Sequence, residues 1–149
     1  MNPILILAAL IPACGEPEDT GFGDEIPDIR GHFQVHVEGA AGCEGSYSYL
    51  TDWAIGPLTI TGGGPNQLTY TFVSDMVFEG HVDAAWSFQL SGSATWGTAN
   101  LSVYEDGMVT LEDQRYLMEG EFEVLVDDDE FFSNDCTITA KARHTQISD

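Results

Sequence analysis

The densest run of chemistry-bearing side chains is Asp127-Asp128-Asp129-Glu130, followed closely by Asn134-Asp135. Oxygen donors at this density suit a hard divalent cation, since calcium takes about six to eight oxygens from carboxylates and amide carbonyls. Asp127, Asp129, Asn134 and Asp135 are the ligands such a calcium site would use. The spacing departs from an EF-hand loop: no glycine stands at the turn position and no glutamate at the closing one. The other reading is a solvated acidic loop between two strands. Glu119, Glu121 and Glu123 recur at every second residue. On an extended chain that spacing puts three carboxylates on one face. They form either a docking surface for a basic partner protein or a solvated face that discourages edge-to-edge pairing. His32 and His36 also share a strand face. At ~3.3 Å per residue they stand ~13 Å apart, too far to hold one metal.

Catalytic signatures are missing from the chain. There is no Gly-x-Ser-x-Gly elbow and no glycine-rich loop opening a helix. Acids are so abundant that no pair is singled out for glycoside hydrolysis. The expectation is a non-enzymatic domain. Two cysteines, Cys43 and Cys136, lie within the body of the chain, and a third, Cys14, near its start. In an exported chain the even pair reads as one disulfide.

The elements that carry these residues are strands. His32-Phe33-Gln34-Val35-His36-Val37-Glu38 alternates polar and apolar without a break. So do Gln67 to Phe72, Trp86 to Leu90, Gly120 to Val124 and Cys136 to Ala140. Period two marks half-buried antiparallel strands. About eight or nine strands are expected, near 32–38, 46–51, 57–61, 67–73, 76–83, 86–92, 98–104, 108–112, 116–126 and 135–143, one or two of these marginal. Gly62-Gly63-Gly64-Pro65-Asn66 breaks the chain between two of them. Glu105-Asp106-Gly107 reads as a three-residue hairpin loop, because that length sets Val103 opposite Val109 and Leu101 opposite Leu111. The fold class is all-β, a single antiparallel β-sandwich or closed β-barrel over residues 31–149. Cys43 lies just past the first strand and Cys136 opens the last. If those strands pair antiparallel, both cysteines reach one rim, within the ~4.4–6.8 Å Cα separation that a disulfide needs.

Charge narrows the partners. The chain carries 25 acidic residues against four Lys and Arg, a formal net charge of −21. Nucleic acid is excluded, because phosphate contacts need clustered bases. Anionic membrane surfaces repel such a chain as well.

The first residues give the location. An apolar run, Ile4 to Ile11, leads into Pro12-Ala13-Cys14, and the chain then turns acidic at Gly15-Glu16-Pro17-Glu18-Asp19. The run is far short of the roughly 20 apolar residues that span a bilayer as a helix. A short apolar h-region, small residues and then Cys resembles the signal peptide and lipobox of a bacterial lipoprotein. The n-region, Met1-Asn2-Pro3, departs from that pattern in having no Lys or Arg. The resemblance implies removal of residues 1–13, lipidation of Cys14 and an anchor in the cell envelope. Gly15, rather than Asp, after the Cys implies the outer membrane under the enteric sorting rule. Residues 14–30, rich in acids, Pro and Gly, are expected to form a disordered tether. Two apolar faces, Trp86-Phe88-Leu90 and Leu68-Tyr70-Phe72, are expected to fill a core. In a wider closed barrel they would line a ligand pocket, so the strand count also resembles a lipocalin, although the Gly-x-Trp motif of that family is absent. The function expected is therefore a membrane-anchored, acidic binding or structural domain. The alternative is a lipocalin-like carrier of a small apolar ligand.

Overall fold

A computed structural model describes residues 22–43, 51–127 and 135–149. Eight antiparallel strands close into one barrel in simple up-and-down order. They are β1 (Gly31–Ala41), β2 (Gly56–Gly64), β3 (Gln67–Phe72), β4 (Val77–Val82), β5 (Ser87–Trp96), β6 (Ala99–Glu112), β7 (Arg115–Asp127) and β8 (Cys136–Ser148). A single-turn 3-10 helix, Asp52–Ala54, stands between β1 and β2. Of the sandwich and the barrel, the barrel is correct.

The alternation sets the faces of the wall. Phe33, Val35, Leu58, Ile60, Leu68, Tyr70, Phe72, Phe78, Phe88, Leu90, Leu101, Val103, Phe122, Val124 and Ile138 all point inward and are buried. The intervening residues, such as Gln34, Thr59, Thr71, Glu79, Gln89, Ser102 and Thr139, face outward. A barrel embedded in lipid has the opposite pattern, with apolar residues on its outer band. β1 pairs antiparallel with β8, with Val35 opposite His144 and Val37 opposite Ala142. This first–last contact is the one that the cysteine positions imply, and Cys43 and Cys136 are joined in a disulfide with Cα atoms 5.3 Å apart.

Two expectations change, and a third lies almost wholly outside the described residues. The hairpin at Glu105-Asp106-Gly107 does not exist, because β6 runs straight through it to Glu112. The inward series Leu101, Val103, Glu105, Gly107, Val109 keeps period two, and β7 pairs along its whole length, with Val103 opposite Val124 and Gly107 opposite Gly120. The turn-forming residue types were overridden by a long partner strand. The two strands expected at 98–104 and 108–112 are thus one, and the real turn is at Asp113-Gln114, both with positive φ. The strand expected over 46–51 lies outside the described residues except for Thr51, which leads into the 3-10 helix. The segment expected to be a free tether is, over residues 22–30, part of the packed domain. Ile29 is fully buried, the Trp86 indole N–H donates to the Glu25 carbonyl at 2.9 Å, and Arg30 donates to the Gly62 carbonyl at 3.2 Å. Arg30 also pairs with Asp28 and lies over the Phe22 ring. Its hydrogen bond holds the Asp28 carboxyl below the ordinary carboxylate range. That pair stabilises the fold above the ordinary carboxylate pKa, and its contribution is lost as pH falls through the lowered one. It is largely exposed, so the effect is small.

Both ends of the barrel are closed by chain outside the strands. The 22–30 segment covers the end that carries the β4–β5 and β6–β7 turns. At the opposite end Trp53, from the 3-10 helix, is buried against Phe72, Phe78 and Phe122, with ring centroids 5.1, 5.3 and 5.6 Å away. Ser74 Oγ donates to the Trp53 carbonyl at 3.0 Å and ties this plug to the β3–β4 turn.

The disulfide closes a loop with a sequence separation of 93 residues beside the β1–β8 seam. A loop of that length loses much unfolded-state entropy. Replacing both cysteines by alanine is expected to lower the unfolding free energy by about 2–5 kcal/mol, read from urea denaturation of the oxidised wild type and the variant. A loss below about 1 kcal/mol would show that the seam holds without the bond.

Candidate functional site

The polar chemistry of this molecule is split between its outer wall and its interior. On the wall, Glu119, Glu121 and Glu123 face outward from β7, as their spacing requires. On the neighbouring β8, Arg143 stands opposite Glu119 and Lys141 opposite Glu121. On the far side of β8, His36 faces Arg143 and Glu38 faces Lys141 across the seam. The carboxylate stripe is therefore met by two of the chain's four basic residues. The Arg143 guanidinium lies 3.7 Å from Glu119, an exposed and loose pair worth little by itself. His36, Glu38, Glu119, Lys141 and Arg143 line a groove of about 710 Å³ across the outer wall of β7, β8 and β1. Its signs are mixed, so it presents neither a purely acidic nor a purely basic surface.

At the rim beside the disulfide, Asp127 ends β7 and Asp135 immediately precedes β8. Both line a cleft of about 380 Å³ together with Ser93, Thr95, Asn100 and Ser102. Two of the residues proposed for calcium are thus brought to one place, and Asp129 and Asn134 lie outside the described residues. Among the described residues no cluster of three or more His, Cys, Asp or Glu has metal-binding geometry. His32 Nδ1 lies 3.1 Å from Thr59 Oγ1 on the outer wall, and His36 sits four residues along the same face. Cys14 precedes the described residues.

The interior holds what the sequence reading missed. Glu105 on β6 and His144 on β8 are both fully buried, and His144 Nε2 lies 2.7 Å from Glu105 Oε1. Whichever of the two carries it, one proton lies between these atoms. Phe88 and Phe122 close over the imidazole at 6.0 and 6.2 Å, both edge-on. The carboxylate leans over Gly120, where a Cβ would come within 2.8 Å of Glu105 Oε1. Gly107 faces Gly120 across the β6–β7 ladder, and a Cβ on Gly107 would sit 2.1 Å from the Glu119 carbonyl oxygen. Glycine at both places lets β6 and β7 coil tightly behind the hydrogen-bonded pair. Tyr70 on β3 shares the interior. Burial first, and then the charge of Glu105, push its phenol far above the ordinary tyrosine range. The hydroxyl therefore keeps its proton and can donate it.

The signal for Glu105 is present in the sequence, as an acid on the inward parity of Leu101, Val103 and Val109. Its neighbours Asp106 and Gly107 mimic a turn and hide it. His144 follows the same rule on β8, two residues beyond Ala142.

Both side chains are fully buried, with one hydrogen bond between them. They tie β6 to β8 across the inner face of β7. No family model, curated protein or solved structure matches this chain. What the fold defines is a class: closed, eight-stranded, up-and-down β-barrels with a polar exterior.

Removing one member of a buried pair strands the other. Glu105→Ala and His144→Ala are each expected to destabilise by about 3–5 kcal/mol in chemical denaturation. Replacing both at once, Glu105→Leu with His144→Phe, is expected to recover most of that loss, because it leaves no unpaired charge. A double variant as unstable as either single one would show that the site matters through shape rather than pairing.

Proposed function

We propose that this chain is a bacterial envelope lipoprotein, anchored by lipid on Cys14, whose barrel is a non-enzymatic binding or structural domain working through its outer surface. The observation that supports the second half of this reading is the set of aromatic rings buried in the interior. Trp53, Tyr70, Phe72, Phe78, Phe88 and Phe122 are all buried inside the wall, and one of them comes from a plug that is not part of the wall at all. The two clefts described above open outward, onto the wall and the rim.

The anchor reading rests on the Leu10 to Cys14 motif and on the acidic segment that follows it. The packing of residues 22–30 refines it. Only the stretch from Cys14 to Phe22 then separates the lipid from the barrel, at most ~29 Å when fully extended. The end covered by the 22–30 segment faces the membrane in this arrangement. The disulfide rim, with Asp127 and Asp135, faces away from it and is the part that a partner meets first. A net charge of −21 keeps the wall off anionic headgroups and leaves anchoring to the acyl chains.

A lipocalin-like carrier is the competing reading, and the barrel architecture is compatible with it. Mass spectrometry of the protein purified from its native membrane separates the two. The expected result is an N-terminal peptide beginning at a lipid-modified Cys14, with no small molecule retained in stoichiometric amount. Titration with the apolar probe 1-N-phenylnaphthylamine is expected to give no saturable fluorescence rise. An unmodified Cys14 removes the anchor, and a stoichiometric ligand or saturable probe binding moves the function into the barrel.

A further inference from the structure

Among the described residues, three buried polar atoms have no protein partner within hydrogen-bond reach: Tyr70 Oη, Glu105 Oε2 and His144 Nδ1. They come from three strands, β3, β6 and β8, and all three residues are fully buried. An unpaired hydroxyl or carboxylate oxygen in an apolar interior is costly, and native folds almost always give such groups a partner. Two of the atoms are complementary. The Tyr70 hydroxyl has a proton to give, and Glu105 Oε2 is an acceptor with nothing to accept. The Tyr70 ring lies over Gly80, which stands opposite Leu90, and Leu90 stands opposite Glu105, so the register turns the phenol toward the carboxylate, yet the two make no direct hydrogen bond. A polar separation of that kind is the usual setting for a bridging water.

We propose that the barrel interior contains a binding site for one buried water molecule between Tyr70 Oη and Glu105 Oε2. The water accepts the Tyr70 proton and donates to the carboxylate. The chain Tyr70–water–Glu105–His144 then runs across the barrel from β3 to β8. The ligand chemistry is narrow: a neutral molecule of water size with a donor and an acceptor. Two glycines keep space for the side chains that hold it. A Cβ on Gly120 would press on Glu105, and one on Gly80 would come within 2.9 Å of Tyr70 Cε2. The site lies apart from the outer wall and rim to which function is assigned above, so it stands or falls independently of that assignment.

Tyr70→Phe is the test, because it removes one oxygen and keeps the ring. If the hydroxyl were truly unpaired, its loss would leave stability unchanged or raised. If it bonds a held water, the folding equilibrium constant falls by about tenfold, read from urea denaturation. The second measurement uses the unaltered protein: a nuclear Overhauser effect between the water resonance and the Tyr70 ring protons, with the sign of a long-lived complex. Reduced stability of the variant together with that cross-peak is the expected result. Unchanged or increased stability, or no water cross-peak in the wild type, overturns the proposal.

Discussion

The pairing of β1 with β8 is the constraint on which the rest of the structure depends. An open eight-stranded sheet would present two unpaired edges, each a template for association with another chain. Joining the first strand to the last removes both. It also turns one face of every strand toward a common axis, so each inward residue must fit with those of seven other strands. The Cys43–Cys136 bond sits at the rim of this seam. There it ties the chain leaving β1 to the start of β8, and it acts mainly on the unfolded chain by shortening a very long loop.

Closure sets the terms for the interior. The strands supply aromatic rings, but their side chains do not seal the ends. The wall therefore needs chain from elsewhere: Trp53 at one mouth and the 22–30 segment at the other. Within this packed space Glu105 and His144 are an exception to the apolar pattern. A buried ion pair contributes little net stability compared with apolar residues of the same volume, yet breaking it by half is costly. Its effect is on uniqueness. A one-residue slip of β6 would turn Glu105 out to the surface and strand His144 in the core, so the pair penalises wrong registers along two of the longest strands.

The exterior follows a different logic. With 25 acids and four bases, the wall is dominated by carboxylates and hydroxyls. The two bases on β8 are spent among the glutamates of β7 and β1 rather than gathered into a patch. The Glu119-Glu121-Glu123 stripe thus has bases beside it, and Asp127 and Asp135 line the cleft at the rim. Self-repulsion of this kind favours a solvated, well-separated molecule.

Much of this was legible in one dimension. Alternation at period two depends only on the pleat of a strand, so Phe33-Val35, Leu68-Tyr70-Phe72 and Phe88-Leu90 announce their inward faces without any partner in view. The even pair Cys43 and Cys136 pointed to the disulfide, and their positions beside the first and last strands made a contact between those strands the condition for the bond, which the structure meets. The fate of Glu105-Asp106-Gly107 was not legible. Turn propensity is local, while the pairing that keeps β6 straight comes from β7, whose register extends from Asn100 opposite Asp127 to Glu112 opposite Arg115. For the same reason the Glu105–His144 pair, 39 residues apart in sequence, could arise only once β7 had brought β6 and β8 to either side of it. The packing of residues 22–30 was hidden too. Their composition is that of a solvated linker, and only the open end of a barrel gives Ile29 and the Glu25 carbonyl something to meet. The sequence by itself determined the faces, most of the strands and the bond. The tertiary structure alone decided closure, the uninterrupted β6 and the buried polar centre, because each depends on contacts between residues that no local pattern connects.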